Sequence, residues 1–144
     1  MPKSTATCNS ILALIFNAVA FANIADNASS SPATNLYLSL HTANPGVGGS
    51  QTTNETSYTN YARLAVVRTT SGWAVPSAGA TSNAALAQFA QCGATGATIT
   101  HVAIGTASSG VGTVLYAGAL NSSLAVANLI QPQFAIGALT VTET

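Results

Sequence analysis

The sequence predicts a mainly β protein: an antiparallel β-sandwich or jelly-roll-like domain over residues 36–144, preceded by an N-terminal helical arm and linker over residues 1–35. Two observations predict it. The apolar pattern changes from helical spacing to two-residue alternation at residue 36. From there, short apolar and β-branched runs recur every ~8–15 residues between Gly, Pro, Asn and Ser turn signals, as in sandwiches and barrels.

The arm comes first. Residues 8–25 read as a helix, with Ile11, Leu12, Leu14, Ile15, Phe16, Val19, Phe21 and Ile24 on more than one face and Asn9, Asn17 and Asn23 in a narrow polar strip. Thr7, Asn9 or Ser10 supplies a side-chain oxygen for the N-cap. A helix apolar nearly all round has to be covered on most sides, by its own domain or by a neighbouring subunit. Residues 27–35, small and polar with Pro32, read as a linker.

Strands follow. Residues 36–42 place Leu36, Leu38 and Leu40 on one face and His41 on the other, towards solvent or an interface. Residues 43–60 form a long loop opening with the turn Asn44-Pro45-Gly46; loops beyond ~15 residues are often functional, and this one is expected at an interface. Further strands are expected at 61–68, 73–75 (ending at Pro76), 97–104, 113–120, 123–126, 133–136 and 139–141. Residues 81–91 alternate around Ala85, Ala87 and Phe89, with a helix left open by their alanine content. Because small side chains bury little area, the core rests on the few large ones: Leu36, Leu38, Leu40, Leu64, Trp73, Phe89, Ile104, Leu115 and Phe134.

Composition narrows the function. The chain has 144 residues, three Lys/Arg and three Asp/Glu, 4 % charged against an ordinary ~25 %. Lys3, Arg63 and Arg68 cannot neutralise a run of phosphates or hold an anionic bilayer, so neither nucleic acid nor membrane is an expected partner. Zero net charge favours association over life as a free monomer. Residues 11–22 are shorter than the ~20 apolar residues of a membrane span. Their signal-peptide look is weakened by Asn17 and the polar stretch before them. Cys8 and Cys92 do not make a disulfide framework and are expected to be free, small buried side chains.

Residues for catalysis are few. Asp26, Glu55 and Glu143 show no paired spacing, and His41 and His101 have no neighbours at metal-ligand spacing. The expectation is a non-enzyme without cofactor or metal. Glu55 lies shortly before Arg63 and is its expected partner; if exposed, such a pair contributes less than about 1 kcal/mol. Tyr58, Tyr61 and Trp73 sit near the arginines in sequence, as an interface cluster or as a core edge with a stacked arginine. The candidate interface residues are thus Ile11, Leu14, Ile15, Phe16 and Val19 on the arm, and Glu55, Tyr58, Tyr61, Arg63 and Trp73 after it.

Several segments together carry a resemblance. They are LYLSLHTANPG (36–46), ETSYTNYAR (55–63), then Arg68 and Gly72-Trp73, ITHVAIGT (99–106) and LYAGAL (115–120). In these the chain resembles a family of short tailed-bacteriophage virion proteins, often labelled tail-fibre-like and similar in character to head decoration (cement) proteins. The resemblance implies a virion component assembled in the host cytoplasm, and it brings no catalytic residues. A short chain without repeats favours capsid decoration, with the major capsid protein and further copies of itself (a trimer favoured) as partners. The alternative is a small tail-fibre or adhesin-type protein that binds a receptor through the 43–60 loop and Tyr58, Tyr61 and Trp73.

Overall fold

The computed structural model describes residues 3–21, 24–25 and 32–144. Asp26, the last turns expected of the arm helix at Ala22 and Asn23, and linker residues 27–31 lie outside the described residues. The chain is mainly β, with antiparallel pairing and, among the described residues, a single short helix at the N-terminal end, in line with the sequence. The helix is α1 (Thr5–Phe16), and the strands are β1 (Asn35–His41), β2 (Leu64–Val67), β3 (Ala80–Ser82), β4 (Ala87–Gln88), β5 (Ala97–Gly105), β6 (Val114–Val126), β7 (Gln133–Phe134) and β8 (Thr140–Thr142). No helix among the described residues is long and apolar enough to cross a membrane. Two compact units share the chain: unit 1 is Met1–Asn35, Val67–Ala87 and Phe134–Thr144, and unit 2 is Leu36–Val66 and Gln88–Gln133.

Unit 2 is built on a four-stranded sheet of order β2-β1-β5-β6. β1 runs antiparallel to β5, with Tyr37 opposite Gly105 and His41 opposite His101. β5 runs antiparallel to β6. The alternation read from the sequence places Leu36, Leu38 and Leu40 correctly, and all three are buried with Phe89, Ile99 and Ile104. The runs expected at 113–120 and 123–126 are one strand. It bends where its register against β5 jumps, Leu124 facing Ile99 but Ala119 facing His101. That bulge absorbs the polar Asn121-Ser122-Ser123 without ending the strand.

In unit 1, β3 pairs antiparallel with β8, Thr81 opposite Val141. The stretch 81–91 is therefore not helical; it holds β3 and β4, and β4 pairs with β7 in a two-stranded sheet. Residues 73–75 make only an isolated bridge, Trp73 with Asn83. The Asn83 side chain holds three segments together. Its amide donates to the Ala85 and Ala135 carbonyls and its oxygen accepts from Leu139 N–H.

The helix differs most from expectation. It starts earlier, with Ser4 as N-cap accepting from Thr7 N–H, and stops at Phe16 rather than Ile24 or Ala25. Its last turn is closed from far along the chain. Arg68 Nε donates to the Ile15 carbonyl at 2.6 Å, Nη2 to the Leu14 carbonyl at 2.7 Å, and Nη1 to the Ala33 carbonyl at 2.6 Å. A guanidinium here meets orphan carbonyls and the negative end of the helix dipole together. Ala18 then turns left-handed at φ 54° and the chain leaves the helix. Cys8, Leu12 and Phe16 form the buried face, with Phe16 edge-on to Trp73 at 4.6 Å between ring centres. Part of the arm's apolar surface is thus covered by its own chain. Both cysteines are free and buried, as expected.

Candidate functional site

The loop 43–60 and the turn 106–113 that joins β5 to β6 are locked together in unit 2. Segment 54–56 folds back beside β1, with Thr42 N–H donating to the Asn54 carbonyl and Thr56 N–H to the Leu40 carbonyl. Gln51 is fully buried. Its amide donates to the Tyr37 carbonyl, its oxygen accepts from Ala107 N–H, and its backbone N–H donates to the Gly112 carbonyl. The side chain fits because two neighbours lack a Cβ. A Cβ on Gly105 would lie 2.2 Å from Gln51 Cδ, and one on Gly112 would lie 2.2 Å from Gln51 Oε1.

The second lock is ionic. Arg63 meets Glu55 in two parallel bonds, Nε to Oε1 at 2.7 Å and Nη2 to Oε2 at 2.7 Å. The remaining donors reach the turn, Nη1 to the Ala107 carbonyl at 2.9 Å and Nη2 to the Gly110 carbonyl at 2.8 Å. The Tyr61 hydroxyl donates to Glu55 Oε1 at 2.8 Å and accepts from Leu40 N–H at 3.1 Å. The pairing expected from the sequence is present, but it is not exposed: the side chains retain 3 % (Arg63) and 15 % (Glu55) of their accessible surface. With most water excluded, removing one partner of the bidentate pair would leave the other charge stranded, at a higher cost than at an exposed pair. The Glu55 hydrogen bond raises the Arg63 pKa, and burial pushes the Tyr61 phenol far above its ordinary value.

His41 corrects the sequence reading too. It is fully buried, and the returning loop meets its ring. Nδ1 lies 2.9 Å from the Thr53 carbonyl and Nε2 2.9 Å from Ser39 Oγ. A carbonyl only accepts, so Nδ1 carries the proton and the Ser39 hydroxyl donates to Nε2. Burial lowers the His41 pKa, outweighing the hydrogen bond to Thr53 and the nearby Glu55; Arg63 and His101 lower it further. Unfolded histidine takes up its proton near pH 6.5, above the folded value, so the unfolded state binds more protons between the two. The stabilisation is complete above about pH 6.5 and is lost as pH falls through the folded pKa. Thermal melts are expected to show a lower Tm at pH 5 than at pH 7, and His41→Gln is expected to flatten that slope. An unchanged slope in the variant would assign the pH effect elsewhere.

The remaining candidates fall in several environments. Tyr58 is buried, donates to the Ala90 carbonyl at 2.9 Å and packs edge-on to Tyr61, their ring centres 5.3 Å apart. Burial, helped by Cys92, pushes its pKa up to about 12. Trp73 is fully buried in unit 1 against Phe16. Neither ring offers a face to a ligand. Ile11, Leu14 and Ile15 are half-buried, Phe16 is buried and Val19 exposed. The sequence reading missed Gln51, Ser39 and Asn83, buried polar residues of types that usually lie outside. The glycines at 105 and 112 were the available signal for Gln51, but they read as turns.

Chemically, the polar groups of this constellation bond to one another. Both Glu55 oxygens and both His41 ring nitrogens are engaged within the chain. No group of three or more His, Cys, Asp or Glu among the described residues could hold a metal ion. Among the polar residues and glycines that the locked loops expose stand two large apolar side chains: Val47 in the first and Val111 in the second are 114 % and 82 % exposed. Backbone contacts join the two loops at the Ser50–Thr113 bridge.

A protein-family model described as Podophage GP4 fiber I protein gp80 matches residues 2–142. No curated protein matches the chain.

Proposed function

The chain belongs to the podophage GP4 fiber I protein gp80 family, a phage virion family labelled as fibre, and we propose that it serves as a fibre-type structural subunit held in the particle by protein–protein contacts. The observation that carries this reading is the locked loop pair. Exposed valines on mobile loops would have to be ordered on binding, at an entropic cost. Here Gln51, Arg63 and Glu55 have already immobilised the loops that present Val47 and Val111. Preorganised apolar tips on an uncharged surface suit a permanent contact with another virion protein. The fibre label supports a position on the fibre apparatus over the head decoration first inferred from the chain's compactness. The role asks for no catalytic group.

The test uses assembled phage. Antibody labelling of particles is expected to mark the tail region, with far fewer copies than the major capsid protein. Labelling spread over the head in near-stoichiometric amount would replace the fibre reading with the decoration reading. In the same phage, Val47→Asp with Val111→Asp is expected to leave the chain folded and cut its incorporation at least tenfold. Incorporation at the wild-type level would remove the loop tips from the contact.

A further inference from the structure

We propose that the outer edge of β6 pairs with the same edge of a second copy of this chain, antiparallel across a twofold axis, joining two four-stranded sheets into one. β6 is the last strand in the order β2-β1-β5-β6, so β5 covers one of its sides and no described strand covers the other. At 13 residues it is by far the longest strand. A bare edge offers a row of backbone N–H and C=O groups, and monomeric proteins blunt such edges with charge, proline or short length. β6 uses none of these. Residues 114–126 contain neither proline nor a charged side chain, and the chain carries no Lys, Arg, Asp or Glu at all from residue 69 to 142. The bulge at 120–123 bends only the far half, a second register shift falls between Val114 and Tyr116, and the run Tyr116 to Ala119 between them keeps regular register with β5.

The occupant follows from the same features. The chemistry of the edge calls for another strand. Twofold self-pairing brings the strand alongside its own copy, so an edge carrying charges of one sign would meet the same sign; an uncharged strand is free of that penalty. Centred on Gly118, the pairing sets Ala117 of one copy opposite Ala119 of the other. All three residues are exposed, and a Cβ on Gly118 would meet nothing within 4 Å. The other sheet edge, β2, has four residues and would match β6 poorly in a head-to-tail arrangement.

The experiment is light scattering after size exclusion on the full chain, with two variants. Wild type is expected at twice 14.3 kDa at micromolar concentration. Ala117→Lys with Ala119→Lys, and separately Ala117→Glu with Ala119→Glu, are each expected at 14.3 kDa with unchanged circular dichroism. Mixing the two is expected to restore the doubled mass, because lysine then faces glutamate. If a variant fails to fold, hydrogen exchange on wild type decides: amides of residues 114–119 are expected to gain protection as concentration rises. A monomeric wild type, a trimer, variants that keep the wild-type mass, or exchange independent of concentration would each overturn the proposal. None of these outcomes depends on where the protein sits in the virion.

Discussion

Replacing Arg63 with alanine is expected to cost about 3–5 kcal/mol of stability, a large part of the ~5–15 kcal/mol that holds an ordinary domain. The variant strands the Glu55 carboxylate in a site that water barely reaches and takes the donors from the Ala107 and Gly110 carbonyls. One side chain joins three segments: the returning loop, the approach to β2 and the β5–β6 turn. Urea denaturation should show a lower midpoint. Arg63→Lys should recover little, because an ammonium lacks the planar fork that meets both carboxylate oxygens. A cycle with Glu55→Ala tests the mechanism. The double variant should cost less than the two singles added, since removing both partners leaves no stranded charge. A cost below about 1 kcal/mol for Arg63→Ala would mean that the pair acts as an exposed one.

Trp73→Ala is expected to destabilise by a similar amount, about 3–5 kcal/mol, and to lower Tm by on the order of 10 °C. Trp73 is fully buried and its ring meets Phe16 at 61°, the edge-to-face arrangement that aromatic pairs favour. Truncation opens a cavity under the helix in a unit whose other side chains are mostly small. Trp73→Phe should cost clearly less. Trp73 is the chain's single tryptophan, so wild-type emission reports on unit 1 directly and should be that of a buried indole. Emission typical of water-exposed tryptophan in the native protein would contradict this packing.

Some of this was readable from local sequence. Alternation at Leu36, Leu38 and Leu40 located β1, and the β-branched run ending at Ile104 located β5 to within a residue. The Glu55–Arg63 pair followed from scarcity: with three acids in the chain, an arginine eight residues from one of them has few other partners. The helix end was not readable. Apolar residues continue to Ile24, and the side chain that caps the last turn, Arg68, is over fifty residues away in sequence. Nor was the environment of His41, which depends on the path taken by residues 43–60 after they leave the strand.

The amino-acid sequence by itself determined the mainly β architecture, the virion family and the choice of ionic partners, because periodicity, segment identity and the supply of charges are properties of neighbouring residues. Only the tertiary structure decided which faces are covered. Alternation tells which side chains share a face of a strand, but not what folds over that face. So His41 on the second side of β1 is interior, its ring bonded to the Thr53 carbonyl of the returning loop, the Glu55–Arg63 pair keeps little exposed surface, and β6 ends its sheet with no described strand beyond it.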